Sequence, residues 1–246
     1  MKLKSFKILS LGVSLLFFAS SCVKMDSYAG PDASLKGNII EDGSKNNVQT
    51  CSGNFSIRLE QLSWDSTPSP QDIPVKYDGS YQNTKLFSGH YRISIKGGAF
   101  WPVAAEEMDI SSGSTHDFTL TPYLVFSNFT ADMIDSTTLS IKYSLEAPIT
   151  GIPKITEIQP YLNTTQIVGP GASIFDFSDL NKIDYVKIKG HPVDWNDFTD
   201  ADKNGEIIVK DLVPGRIFYV RVGVKFDNND KSSNLSQIIK ITVPGK

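Results

Sequence analysis

The sequence predicts an all-β protein built as two antiparallel β-sandwich domains in tandem. Three observations carry that expectation. Apolar and polar residues alternate with a period of two through most of the chain. Turn pairs such as Asp42-Gly43, Asp78-Gly79, Ser88-Gly89, Gly97-Gly98 and Ser112-Gly113 punctuate the alternating runs. After residue 22 no apolar stretch approaches the ~18 residues that a membrane-spanning helix needs.

The first element is a leader. Lys2, Lys4 and Lys7 supply positive charge, and Ile8 to Ala19 form an apolar run too short to span a bilayer core. Ala19-Ser20-Ser21-Cys22 then places small residues before a cysteine. A signal peptidase needs small side chains there, and the thiol accepts a diacylglyceryl group. Residues 1–21 are expected to be a lipoprotein signal peptide, Cys22 the lipidation site, and residues 22–32 a tether to the membrane. Removing three leader lysines takes the formal charge from −3 to −6. No basic block exists to track phosphates, so nucleic acid is excluded as a partner. With Cys22 acylated, Cys51 is the only thiol left, so the fold rests on its cores without a disulfide.

The second element, residues 33–122, opens with Leu35 to Ile40. Phe55, Ile57 and Leu59 form the next strand, and Tyr91, Ile93 and Ile95 a later one. Asp78-Gly79-Ser80-Tyr81 and Gly89-His90-Tyr91-Arg92-Ile93 follow the early Gly37 as landmarks. Their order resembles transthyretin-like (prealbumin-like) domains. The third element, residues 123–246, follows a seam as short as Thr121-Pro122. Leu139, Ile141, Tyr143 and Leu145 share one strand face. Leu212-Val213-Pro214-Gly215 then precedes a strand whose inward residues are Phe218, Val220, Val222 and Val224, with Tyr219 on the other face. This resembles the corner and sixth strand of fibronectin type III domains, with Phe218 where that family places its corner tyrosine. A last strand is expected from Gln237 to Val243.

Leader, prealbumin-like domain and fibronectin-like domain together resemble a family of two-domain Bacteroidetes lipoproteins. The segment Met25 to Ala33 looks like that family's start. Its genes lie beside a TonB-dependent SusC-type transporter and its SusD-type partner in glycan-utilisation loci. The resemblance implies an outer-membrane, surface-exposed protein that takes part in carbohydrate capture or transfer.

Signals for catalysis are sparse. His90, His116 and His191 stand apart in the sequence, and Glu106 and Glu107 are adjacent strand residues that face opposite ways, a poor acid–base pair. No enzyme and no cofactor are expected. Asp200-Ala201-Asp202-Lys203-Asn204-Gly205 matches the first half of a calcium loop, with Asp211 at the closing position. A strand from Glu206 would carry Asp211 ~15–20 Å away, so the expected reading is a polar turn leading into a strand, with no metal assigned. Sugar rings present an apolar C–H face to aromatic side chains. Trp64, Trp101 and Trp195 lie in loop-like stretches, and with Tyr77 they are the candidate carbohydrate-binding residues. A binding protein should group exposed aromatics on one face or at the domain seam. The alternative, a structural or docking subunit for a partner protein, should bury its tryptophans and expose an apolar patch.

Overall fold

The computed structural model describes residues 29–51, 53–174, 183–184 (backbone only) and 191–245. The leader, Cys22 and most of the tether lie outside the described residues. None of the described helices is long and apolar enough to cross a membrane.

In the first domain eight strands run in chain order: β1 (Ala33–Glu41), β2 (Phe55–Gln61), β3 (Gln71–Pro74), β4 (Ser80–Leu86), β5 (Gly89–Gly97), β6 (Glu106–Ile110), β7 (Ser114–Thr115) and β8 (Phe118–Leu120). One sheet has the order β4-β1-β7, with β8 also on β1, and the facing sheet has the order β3-β2-β5-β6. β1 is antiparallel to β4 but parallel to β7 and β8, with Leu35 opposite Ser114 and Ile39 opposite Phe118. The period-two pattern sends Leu35, Ile39, Tyr81 and Phe118 inward from one sheet to meet Ile57, Leu59, Ile93 and Ile110 from the other. Each such side chain contributes about 1.5–3 kcal/mol on full burial. Gly37 is required where the partner of β1 changes from β7 to β8, because a Cβ there would overlap the His116 carbonyl oxygen. The Tyr81 hydroxyl donates to that same oxygen at 2.6 Å.

The second domain continues with β9 (Val125–Met133), β10 (Leu139–Glu146), β11 (Ile155–Asn163), β12 (Ile183–Asp184), β13 (Asn204–Val209), β14 (Ile217–Phe226), β15 (Ser233–Leu235) and β16 (Ile239–Thr242). One sheet is β12-β13-β10-β9, and the other is β11-β14-β15 with β16 pairing the first half of β14. Leu139, Ile141, Tyr143 and Leu145 face Phe218, Val220, Val222 and Val224 across the core, as their alternation requires. The corner before β14 is closed by the Gly215 N–H, which donates to the Val243 carbonyl at 3.1 Å. Phe218 is buried there while Tyr219 packs on the other face. The final strand is shorter than Gln237–Val243. Ser236 separates β15 from β16, because its hydroxyl accepts the Val222 N–H and its carbonyl accepts Arg221.

The outer face of β14 is not solvent. Arg221, with relative exposure 0%, lies beneath the first-domain segment around Cys51. Its guanidinium donates to the Thr50 carbonyl at 2.7 Å, to Val168 at 3.3 Å and twice to Ser236 at 3.0 and 2.6 Å. Burial pushes its pKa down to about 10, still cationic at neutral pH. Asn234 accepts the Leu124 N–H and donates to the Ala99 carbonyl, Ser232 donates to Gly98, and Asn54 exchanges hydrogen bonds with Ser233. The two domains are therefore joined by a polar, hydrogen-bonded seam, not by a bare linker.

Candidate functional site

The seam opens on one side into a groove of about 640 Å³, within the size range of small-ligand sites. Its first-domain wall is the chain just after β1. The Asp42-Gly43 turn closes with Glu41 N–H donating to the Asn46 carbonyl, and Val48 N–H donating back to Ile39, both at 2.8 Å. That turn sets Asn46, Asn47 and Gln49 along the groove. The Asn47 side-chain amide donates to Asn38 Oδ1 at 3.2 Å, which fixes its orientation. Asp78 lies at the same wall, its carboxylate accepting from the Ser80 N–H at 3.0 Å and hydroxyl at 2.7 Å.

The second-domain wall owes its shape to a β-bulge. Lys142 pairs with Thr130, but the next partners on the strands are Ser144 and Ser127. Two β9 residues thus oppose Tyr143 alone, and Asn128 takes φ +48°, a left-handed conformation that asparagine tolerates better than most residues. The extra residue breaks strict alternation. Phe126, Asn128 and Phe129 all line the groove, whereas a regular strand would send Phe129 to the opposite face from the other two. Phe126 is half-buried and packs edge-on against Phe129 at 6.4 Å and Tyr143 at 6.3 Å. Gln237 completes the rim. A second depression of about 420 Å³ shares Glu41, Ser44, Pro122 and Val125 with the first, so the two form one track along the seam.

The chemistry of this lining is specific. Side-chain amides donate and accept, and the carboxylates accept, Glu41 and Asp78 in the groove and Asp42 and Glu146 in the second depression. No lysine or arginine lines either depression. Such a surface suits a neutral, hydroxyl-rich ligand with an apolar face for Phe126; Lys45, on the same turn, is paired with Asp42 at 2.8 Å.

The sequence-predicted residues are dispersed. Trp64 is 76% exposed on the turn after β2, with Phe87 at 39% and ring centroids 6.0 Å apart. Trp101 packs beside the second core, edge-on to Tyr123 at 5.6 Å, with its indole N–H buried and without an acceptor. Trp195 lies in a short 3₁₀ turn against Phe198, with Lys203 Nζ 4.9 Å above its ring. Tyr77 sits at the seam, beside Asp78, and its hydroxyl donates to Gln166 of the other domain at 3.0 Å. None of these four lines the groove. Asn46, Asn47, Asn128 and Phe126 do, and because Asn46-Asn47 lies well inside the first domain in the sequence, only the folded chain brings it to the seam.

Glu106 and Glu107 diverge as their adjacency requires. Glu106 approaches His116 at 3.6 Å, while Glu107 approaches His90 at 3.3 Å and Arg92 at 3.6 Å. His90 also meets Asp109 at 2.9 Å, and the Asp109 and Glu107 carboxylates raise its pKa. The calcium-like stretch folds as one turn of helix, α1 (Asp200–Lys203), where a polar turn was expected. Thr199 and Asp202 form a reciprocal capping box, and Asn204 donates to the Asp200 carbonyl. β13 then carries the chain away from these residues before Asp211 is reached. Among the described residues no group of three or more His, Cys, Asp or Glu side chains is placed to hold a metal ion.

Residues 33–121 match the family model described as "Protein of unknown function (DUF3823) N-terminal domain", and residues 126–240 match "Domain of unknown function (DUF3823_C)". The chain belongs to the DUF3823 family. Solved structures with the same fold include a DUF3823 protein of Bacteroides uniformis, 18% identical with a TM-score of 0.71, covering 87% of this chain and 100% of that one. A second Bacteroides uniformis protein, proposed to bind carbohydrate, is 19% identical with a TM-score of 0.69 over the same shares. A DUF3823 protein of Parabacteroides merdae, 16% identical, has a TM-score of 0.66, again over 87% and 100%. No curated protein matches the chain.

Proposed function

We propose that this DUF3823 protein is a non-catalytic, lipid-anchored protein of the outer-membrane surface that binds neutral carbohydrate along its inter-domain groove and assists a SusC/SusD-type uptake system. One observation carries the reading: a groove whose rim is uncharged amides and two carboxylates, floored by Phe126 and free of lysine and arginine. The carbohydrate role proposed for the second Bacteroides uniformis relative supports it. The hydrogen-bonded seam holds both walls in register, so little ordering entropy opposes binding.

The test is affinity gel electrophoresis of the mature chain, residues 22–246 with Cys22→Ser, through a panel of neutral and acidic polysaccharides. Retardation by a neutral polysaccharide is expected, weakened at least tenfold in Asn47→Ala and Phe126→Ala proteins that keep the wild-type circular dichroism spectrum. Retardation that survives both changes refutes the groove. No retardation across the panel favours the docking reading, which has its own support. Ile134 (60% exposed) and Val213 (45%) sit on loops joined by the Leu212 N–H to Thr137 carbonyl bond, leaving apolar side chains on the far end of the second domain. Pull-down with a SusC/SusD-type pair, lost in Ile134→Asp, would establish that reading.

A further inference from the structure

The Trp64–Phe87 pair is the largest exposed aromatic surface among the described residues, and its position in the fold says what it meets. Trp64 does not dangle. Its N–H donates to the Gln61 carbonyl at 3.3 Å, and Asp65 Oδ1 accepts the Thr67 N–H at 3.0 Å, so the turn is built. Phe87 occupies the two-residue turn between β4 and β5, and its carbonyl accepts the Tyr91 hydroxyl at 2.7 Å. The neighbouring Ser88 N–H donates to Asp32 Oδ1 at 2.8 Å. Asp32 is the residue before β1, so the chain coming from Cys22 is pinned against this same turn. The seam is at the other end of β1, roughly 25–30 Å away.

Nine residues lie between Cys22 and Asp32, and the ten steps from one to the other span at most about 35 Å when fully extended. A lipid surface that holds Cys22 therefore lies within reach of Trp64 and Phe87, and the amide-lined groove lies at the other end of β1, by Glu41. A large indole beside a phenyl ring, on a polar turn of Asp65, Ser66 and Thr67, is the side-chain chemistry that settles at the headgroup level of a bilayer. A single lipid modification is reinforced when a second contact adds to it.

We infer that Trp64 and Phe87 form a second membrane contact, seated in the headgroup region of the surface to which Cys22 is anchored. The inference rests on the lipid-anchor reading. No basic side chain is needed for it, so the contact is apolar and salt-insensitive. The probe is the unacylated Cys22→Ser mature chain with phosphatidylcholine vesicles, which reads the tip without the anchor. Co-flotation and a blue shift of tryptophan emission are expected, unchanged between low and high salt. Trp64→Ala should lower the partition coefficient about tenfold, from the loss of most of an indole's buried area, and abolish the blue shift; Trp195→Phe should keep both. No partition, or partition unaffected by Trp64→Ala, overturns the proposal. Polysaccharide retardation lost in Trp64→Ala also overturns it, because the tip would then be a sugar site. The anchor is checked separately by the mass of the native protein: an unacylated Cys22 refutes the anchor reading, while vesicle binding still reports on the tip.

Discussion

The seam and the Trp64 tip stand at opposite ends of β1, and they break the inside–outside rule in opposite senses. At the seam a guanidinium, one asparagine, one threonine and three serines are buried. At the tip a tryptophan is left largely in water. Each departure costs free energy unless something meets it. At the seam the protein itself meets it, with every buried donor of Arg221 named above aimed at a backbone carbonyl. At the tip the described residues leave most of the indole uncovered. The first pattern describes a joint that is finished within the fold, and the second a surface that the described residues leave open.

The strongest way to break the contrast is to remove its buried half. Arg221→Met leaves the Thr50, Val168 and Ser236 carbonyls short of donors in a site closed to water. The expected cost is about 3 kcal/mol or more, read as a lower urea midpoint. Wild-type unfolding should be a single transition. The variant should separate into two, because the buried Arg221–Thr50 bond between the domains is gone and the seam is weakened. A smaller effect is expected at Asn128. Valine at its left-handed φ should cost about 1–2 kcal/mol, whereas Asn128→Gly should leave thermal stability within about 0.5 kcal/mol while removing a groove amide. The smallest effect belongs to the tip. Trp64→Ala should change the urea midpoint by less than about 0.5 kcal/mol equivalent, as for other exposed sites free of structural contacts. A large loss of stability there would mean that the indole is part of the fold, and the contrast would fail.

The two regions also differ in how they can be read from the sequence. Both β-sandwiches are legible because alternation fixes which residues face inward; Leu35, Ile57, Leu139 and Phe218 follow directly. The same logic misplaces Arg221. It alternates with Val220 and Val222, so it reads as solvent-facing, and only the docking of the Thr50 segment from another domain buries it. The groove escapes for a related reason. Phe126, Asn128 and Phe129 share a wall only because of a one-residue bulge, and no periodicity announces a bulge. Trp64 is legible as a loop tryptophan, but its neighbour Phe87 and the nearby Asp32 come from distant parts of the chain. Their meeting depends on strand order, which the sequence leaves open.

One consequence of β1 is mechanical. The chain enters at Ala33, and the second domain is joined through the far end of β8, which runs parallel to β1. Pulling residue 29 away from the second domain therefore draws the two strands past each other along their length. Their backbone bonds are loaded together in shear, instead of being opened one at a time as in an unzipping hairpin. A tension applied between residue 29 and the second domain meets its resistance first in the few bonds that join Ile39, Ile40 and Glu41 to Phe118, Thr119 and Leu120.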